Sequence, residues 1–213
     1  MTSEMLGKLH QAVMDGDIQA VPGLAQQGVS AGLAPQELID GGLLSGMSAI
    51  GKLFREEQVF VPEVLVAAKA MQAGLNALEP HLARGGVKFK GTAVIGTVHG
   101  DLHDIGKNLV IMLWQGAGLK VHDLGMNVPP ERFVAAIHEH RPNLVGMSCL
   151  LTTTMPAIEA TLKALNAAGV RKQVRVILGG QPVTRDWAMK AGADGWAPDA
   201  GRAVDEAMGL LGK

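Results

Sequence analysis

The sequence reads Gly100-Asp101-Leu102-His103-Asp104-Ile105-Gly106-Lys107 between a short apolar run and a segment with helical spacing. The run before it, Thr92 to Val98, is rich in β-branched residues and predicts a buried strand. The segment after it, Lys107 to Gly118, has apolar residues at helical spacing. Open α/β sheets bind ligands at the carboxyl ends of their strands, so this loop is predicted to be a ligand site.

The character of the chain changes once along its length. Residues up to about 83 predict four helices, and Arg84 to Lys88 is a polar, glycine-containing stretch that predicts a linker. Beyond it, strand-like runs alternate with helical segments. These runs lie at 92–98, 120–124, 144–150, 174–179 and, more weakly, 195–197. The sequence therefore predicts a four-helix bundle over residues 1–86, followed by an α/β domain over residues 87–213 with a five-stranded parallel sheet.

Composition narrows the function. The 213 residues carry 19 Lys and Arg against 20 Asp and Glu, and only 3% are aromatic. The chain therefore lacks both the excess of basic residues and the stacking side chains that nucleic-acid binding needs, and no nucleic-acid partner is expected. One cysteine excludes an internal disulfide. No apolar run approaches the ~18 residues of a membrane helix, and we expect a cytoplasmic protein with no membrane partner.

Two glycine-loop chemistries do not fit the segment from Gly100 to Lys107. A phosphate-binding loop needs glycine where Asp101 stands and a hydroxyl residue where Asn108 stands. The Gly-x-Gly-x-x-Gly turn of dinucleotide sites is also absent from the segment. We expect Gly125 to Pro129, after the second strand, to be a plain strand-to-helix connection.

Asp101 and His103 together offer a metal ligand and its support. One imidazole nitrogen can bind a metal while the other donates to a carboxylate, which sets the tautomer. A zinc site needs about three or four protein ligands, and no Cys/His pair here has zinc-site spacing. A single strong ligand suits a metal already held by a macrocycle. The pair alone is equally consistent with an ordinary hydrogen bond within a loop.

A wider pattern adds to this pair. Asp101-x-His103-x-x-Gly106, Ser148-Cys149-Leu150 and Gly179-Gly180 have the order and spacing of a corrinoid-binding signature. The chain resembles the cobalamin-binding region of methionine synthase and, more closely, the free-standing corrinoid proteins of methyltransferase systems. The resemblance extends to the N-terminal half, at Ser45 to Phe54 and Phe60 to Leu65.

The resemblance implies a helical cap followed by a Rossmann- or flavodoxin-like cobalamin-binding domain. It also implies that the corrinoid binds with its nucleotide tail off the cobalt and with His103 as the lower axial metal ligand. Asp101 and Thr154 would complete a proton relay, so these three residues are the predicted catalytic group. Thr154 is equally placed to N-cap the helix that starts near Met155.

Other residues match cofactor-contacting positions of the family. Phe54 and Val61 would cover the upper corrin face, although Met47, Ile50 and Phe54 share one helix face and such a face is core by default. Gly179-Gly180 would let the ligand approach the backbone, or form a simple turn. The full predicted set of cofactor contacts is Asp40, Met47, Phe54, Val61, Val64, Gly100, Asp101, Leu102, His103, Asp104, Ile105, Gly106, Ser148, Leu150, Thr152, Thr154, Gly179, Gly180 and Ala200.

The function implied by the resemblance is that of a methyl carrier, a corrinoid subunit that does not act alone. Co(I) would accept a methyl group from a substrate-specific corrinoid methyltransferase, and methyl-Co(III) would pass it to a second methyltransferase with an acceptor such as a folate or a thiol. A reductive activase is the third implied partner. The alternatives are a cobalamin-dependent sensor or regulatory module and the cofactor subunit of a mutase.

Overall fold

The computed structural model describes residues 2–82 and 87–212. The chain divides into two compact units, one formed by Met1–Lys90 with Gln115–Gly118 and the other by Gly91–Trp114 with Leu119–Lys213. The predicted linker overlaps residues 83–86, which lie outside the described residues, and the predicted domain boundary after residue 86 falls at their end. The limits 1–86 and 87–213 therefore stay a prediction.

The first unit is helical. Its helices are α1 (Thr2–Met14), α2 (Ala20–Ser30), α3 (Pro35–Leu38), α4 (Ser45–Arg55) and α5 (Val61–Leu78), and a π-helical turn, Ile39–Leu44, joins α3 to α4. Because α3, the π-helical turn and α4 are continuous, the unit has the four predicted helical segments. α1 packs on α2 and α4, and α5 packs on α2 and α4. Leu9, Val13 and Met71 are buried in this bundle.

The second unit alternates strands with helices. Its elements are β1 (Gly91–Thr97), α6 (Ile105–Gly116), β2 (Leu119–Asp123), α7 (Pro130–His140), β3 (Leu144–Ser148), α8 (Met155–Ala167), β4 (Arg175–Gly179), α9 (Arg185–Ala191), β5 (Gly195–Ala197) and α10 (Ala200–Leu211). The five strands are parallel in the order β2-β1-β3-β4-β5. The predicted fold class, helices followed by a five-stranded parallel sheet, is confirmed.

Successive strand residues face opposite sides of this sheet. Val94 belongs to a core with Phe133 of α7 and Ile158 of α8, whereas Ile95 packs in a second core with Trp114 of α6. Helices therefore cover both faces, and only the ends of the strands are left for a ligand. Among the described residues, no helix is long and apolar enough to cross a membrane.

The register brings three strand ends together. Thr97, the last residue of β1, pairs with Ser148 at the end of β3, and Ser148 pairs with Gly179 at the end of β4. Strand β3 ends two residues earlier than predicted, so Cys149 and Leu150 lead from the sheet edge toward α8. This shared carboxyl edge is where the predicted ligand loop begins.

Candidate functional site

A cavity of about 530 Å³ opens at the carboxyl edge of the sheet. Residues from β1, β3, β4, β5, α6, α10 and the loops that follow the strands line it. Ten predicted contacts are among the lining residues: Leu102, His103, Asp104, Ile105, Gly106, Ser148, Leu150, Gly179, Gly180 and Ala200. The volume lies within the range of small-molecule sites, roughly 300–1,000 Å³.

The ligand loop, residues 98–104, connects β1 to α6 and is held by side chains from outside it. The buried Thr97 hydroxyl donates to the carbonyl oxygen of His103 at 2.8 Å. The Gly100 amide donates to Asn127 Oδ1 at 2.7 Å, and the Asn127 amide donates to the Asp101 carbonyl oxygen at 3.0 Å. Gly100 has φ +83°, a conformation that glycine adopts without steric cost.

The Asp101 carboxylate is fully buried, with 0% of the residue exposed, and it accepts hydrogen bonds on both oxygens. Oδ1 accepts from His103 Nδ1 at 2.7 Å and from the His103 amide at 3.1 Å. Oδ2 accepts from the Leu150 amide at 2.7 Å, the Leu151 amide at 3.3 Å and the Thr154 hydroxyl at 2.9 Å. Burial raises the pKa of this carboxyl, but the hydrogen bonds outweigh it and hold the pKa well below its usual range.

His103 presents its other ring nitrogen to a ligand. Its side chain is 50% exposed and lines the cavity, and Nδ1 is engaged by Asp101. Because the carboxylate is an acceptor, Nδ1 carries the proton in the neutral ring and Nε2 keeps its lone pair. No hydrogen bond to Nε2 occurs within residues 2–82 and 87–212. The arrangement is that of a metal-binding imidazole supported by a carboxylate.

Thr154 stands at the N-cap position of α8, but its hydroxyl makes no cap hydrogen bond. The hydroxyl contacts Asp101 Oδ2 instead, and it also lies 2.9 Å from the Leu151 carbonyl oxygen. The Sγ atom of the buried Cys149 is 3.2 Å from the same hydroxyl oxygen. Cys149, Thr154, Asp101 and His103 thus form one continuous hydrogen-bonded chain.

Three comparisons relate this site to known proteins. A family model described as "B12 binding domain" matches residues 91–205, and a second model with the same description matches residues 5–79. The chain belongs to the B12-binding corrinoid proteins. A corrinoid protein of Desulfitobacterium hafniense is 40% identical over 100% of both chains, and the trimethylamine corrinoid protein of Methanosarcina barkeri is 40% identical over 98% of this chain and 97% of the relative.

Solved structures of corrinoid proteins agree with this fold. The methanol:cobalamin methyltransferase complex of Methanosarcina barkeri contains a chain that superposes with TM-score 0.91 at 31% identity, covering 98% of this chain and 80% of that one. A cobalamin-binding protein of Desulfitobacterium hafniense superposes with TM-score 0.76 at 32% identity, covering 96% and 98%. The predicted family, corrinoid cofactor and methyl-carrier function are confirmed, and the sensor or mutase alternative is not supported.

The corrinoid protein places three large apolar side chains beside His103. Leu102 and Ile105 are 68% and 78% exposed, and Leu150 is also exposed. All three line the cavity. Exposed side chains of this size at one opening mark a surface for an apolar ligand or partner. This rim was part of the predicted contact set.

Gly180 of the corrinoid protein has a structural reason to be glycine. Its φ is +124°, and a Cβ atom there would lie 1.8 Å from the Cys149 carbonyl oxygen. Any side chain would therefore collide with the protein's own backbone. Gly179 is less constrained, since its Cβ would lie 3.3 Å from the Ala197 carbonyl oxygen. Close approach of a ligand is not needed to explain the glycine at position 180.

Several predicted contacts lie away from the cavity lining. Thr152 is exposed and, among the described residues, is not part of that lining. In the helical unit, Met47 and Val64 are buried, whereas Phe54 and Val61 are partly exposed and Asp40 is exposed. Asp40 Oδ1 accepts a hydrogen bond from Gln36 at 3.0 Å. The roles assigned to these residues stay predictions.

Three residues that shape the site of the corrinoid protein are not predicted by the sequence motifs. Thr97 and Asn127 fix the ligand loop, so Gly125 to Pro129 is more than a plain connection. Asn127 has φ +52°, a left-handed conformation that asparagine tolerates better than most residues. An asparagine in this connection was therefore the one sequence feature that could have indicated a tight turn there. Lys107 is 2% exposed, lines the cavity and donates to Asp123 Oδ1 at 2.7 Å. Lys107 lies in a segment with the pattern of an amphipathic helix, in which a lysine is expected to be exposed, so its ion pair with Asp123 was not predicted.

Proposed function

We propose that His103 Nε2 is the lower axial ligand of the corrinoid cobalt and that the nucleotide tail of the corrinoid occupies the cavity at the sheet edge. The observation that carries this proposal is the 2.7 Å contact between His103 Nδ1 and a buried Asp101 carboxylate. This contact leaves Nε2 as the coordinating atom. When bound, the corrinoid supplies a cobalt centre that takes up and releases a methyl group.

The polarity of the cavity lining also fits the nucleotide tail of the corrinoid. The cavity lies directly beside the imidazole, its rim is apolar, and the Ser148 hydroxyl lines it. That hydroxyl has no hydrogen-bond partner within the described part of the chain, and we assign it to the nucleotide tail. An apolar opening with a few polar groups is typical of cofactor sites.

Asp101 and Thr154 control the proton on His103. The low pKa of Asp101 keeps its carboxylate ionised, so it holds the Nδ1 proton whether or not Nε2 is bound to metal. When no metal is bound, Nε2 would be open to a proton from solvent because the side chain is half exposed. If His103 holds the cobalt, the pair would take up a proton without that bond and release it with the bond in place. The Thr154 hydroxyl fixes the position of Asp101 Oδ2.

We keep the assignment of Asp40, Met47, Phe54, Val61 and Val64 as corrin contacts as part of the proposal. It is supported by the match of a B12 binding domain model to residues 5–79. The exposed surface of Phe54 and Val61 makes them the apolar members most available to a ligand. If Phe54 shields the cobalt-bound methyl group, Phe54→Ala will accelerate its photolysis; an unchanged rate would show that Phe54 serves only packing.

The partners follow from the relatives. One structural relative is a methanol:cobalamin methyltransferase complex, and one sequence relative is a trimethylamine corrinoid protein. We propose that this chain likewise works with a substrate-specific corrinoid methyltransferase, with a second methyltransferase that uses a folate or thiol acceptor, and with a reductive activase, in the cytoplasm. Co-purification with a tagged chain, followed by a methyl-donor screen with the captured methyltransferase, tests these partners.

Electron paramagnetic resonance of the Co(II) form tests the ligation. Nitrogen-14 and nitrogen-15 split the cobalt signal differently, so labelling the protein's histidines with nitrogen-15 separates a protein ligand from the corrinoid's own base. We expect the nitrogen-15 pattern in the wild type and its loss in His103→Ala. His138→Ala, which removes an exposed histidine from α7, is the control. A nitrogen-14 pattern in the labelled wild-type protein would remove His103 from the cobalt.

A further inference from the structure

The cavity changes in character with depth. Its most exposed lining residues, such as Leu102, Ile105 and Asp199, mark the entrance. The floor is formed by Ile95, Val110, Trp114, Ile177 and Ala203, which are buried or partly buried. Ile95, Trp114 and Ile177 belong to the apolar core on one face of the sheet. The end of a bound nucleotide tail, its heterocyclic base, would therefore meet the core of the domain.

Polar atoms at this floor are already paired. The Trp114 indole Nε1–H donates to the Ala203 carbonyl oxygen at 2.9 Å, and the Ala203 amide donates to the Asp199 carbonyl oxygen at 3.1 Å. The residues Ile95 and Ile177 lie on strands that are paired on both sides. Among the described residues, the structure contains no buried side-chain nitrogen or oxygen without a partner.

We propose that this floor selects corrinoids whose tail ends in a benzimidazole over those whose tail ends in a purine. The inference rests on the proposed insertion of the tail into the cavity. A benzimidazole presents only carbon and hydrogen, or methyl groups, on its six-membered ring. Adenine presents two ring nitrogens and an amino group there, and each needs a hydrogen-bond partner once water is removed. The Ser148 hydroxyl, which lines the same cavity, has a single hydrogen to donate, so it can pair with only one of the two ring nitrogens and the other stays unpaired.

The size of the preference follows from unpaired groups. A buried polar group without a partner weakens binding roughly 5- to 150-fold. The Trp114 indole adds a favourable aromatic contact for either base, so it does not discriminate between them. We therefore expect at least about a 5-fold preference for the dimethylbenzimidazole corrinoid over the adenine corrinoid.

The test compares dissociation constants of three probes for the full chain: cobalamin, its adenine analogue, and cobinamide, which has no nucleotide tail. All are measured by anaerobic equilibrium dialysis in the Co(I) state, because this state binds no lower ligand and the cost of freeing the base from cobalt cancels. We expect cobalamin to bind at least about 5-fold more tightly than the adenine analogue. Equal affinity, or a preference for adenine, would overturn the inference.

The outcomes separate this inference from the proposed function. If neither cobalamin nor its adenine analogue binds, the proposed function itself fails. If both bind no better than cobinamide, the tail does not enter the cavity and the inference fails with that part of the proposal. Equal, tight binding of both refutes the selectivity alone.

A hydroxyl placed in the floor tests its location. Val110→Thr keeps nearly the same volume and adds a polar group, so we expect the preference for cobalamin to narrow. Val134→Thr is the matched control, since Val134 is a partly buried valine packed in the core on the other face of the sheet. A ratio unchanged by Val110→Thr would contradict the assignment of the floor. The wild-type ratio decides the selectivity even where the variant fails to fold.

Discussion

Replacing Asp101 with asparagine would exchange one buried acceptor for a donor without changing the size of the side chain. The Oδ2 position faces two backbone amides and the Thr154 hydroxyl, whereas the Oδ1 position faces the His103 amide and Nδ1. Each buried donor left unpaired costs about 1–3 kcal/mol. The asparagine therefore keeps its oxygen toward the larger set of donors and turns its amino group toward His103.

This orientation changes the tautomer of His103. Nδ1 must then accept a hydrogen bond, so the proton moves to Nε2, the atom proposed to bind cobalt. To bind cobalt, His103 must return the proton to Nδ1, where the Nδ1–H would face the N–H donors of the asparagine side chain. One of these donors is then unpaired, which again costs about 1–3 kcal/mol. This agrees with the 10- to 100-fold effect usual for groups that support a metal ligand, roughly 1.4–2.8 kcal/mol. We expect the constant for His103 ligation to fall about 10- to 100-fold.

The measurement is the equilibrium ratio of the His103-ligated to the unligated form of the corrinoid-loaded protein, read from its absorption spectrum. It is made at about pH 8.5, two units above the usual pKa of histidine, so that protonation does not compete with the metal. Asp186→Asn, an exposed carboxylate in the first turn of α9, is the control and should leave the constant unchanged. A constant reduced less than about 3-fold in Asp101→Asn would refute the tautomer argument.

Three further substitutions test other parts of the structure. Thr97→Val removes the hydroxyl that holds the His103 carbonyl oxygen, so ligation by His103, measured by the same absorption assay, should weaken by about 0.5–1.5 kcal/mol. Thr97→Ser keeps a hydroxyl and should restore the ligation. Equal ligation constants for the two variants would contradict this role. Gly180→Ala introduces a collision with the Cys149 carbonyl oxygen and should lower the free energy of unfolding in urea by at least about 1–3 kcal/mol, whereas a loss below 1 kcal/mol would argue against it. Burial, with the nearby charge of a second histidine, lowers the pKa of His122, so the unfolded chain binds the proton first and stability falls as the pH drops through about 6.5. His122→Phe should flatten this decline between about pH 7.5 and 5.5, and an unchanged slope would remove His122 from it.

The strands and the ligand loop could be predicted because their signals are local. Short apolar runs mark β1 to β4, and a weaker run marks β5 at Gly195–Ala197. The loop from Gly100 to Lys107 combines glycines with polar residues at the end of such a run. The partnership of Asp101 with His103 was also predictable from spacing, since two residues apart in a loop allows one side chain to reach the other. These features depend on neighbours in the sequence.

The support of the loop could not be predicted in the same way. Thr97 and Asn127 act through hydrogen bonds to backbone atoms, and Asn127 lies 27 residues from the amide of Gly100 that it binds. Such contacts depend on the register of β1 and β2 and leave no periodic pattern in the sequence. Cys149 was treated as part of a motif, yet its position at the Thr154 hydroxyl depends on how the chain turns after β3. The contribution of Gly180 depends on the same turn.

The hydrogen bonds that hold residues 98–104 to Thr97 and Asn127 bear on how fast a ligand at His103 could exchange. Because hydrogen bonds already hold the backbone on which the imidazole stands, a bond from His103 to a metal could form or break through movement of the side chain alone. The entropic cost of arranging that segment is met during folding and is not repeated in each cycle. If His103 is the lower ligand of the corrinoid, its exchange during turnover would therefore require little rearrangement of residues 98–104.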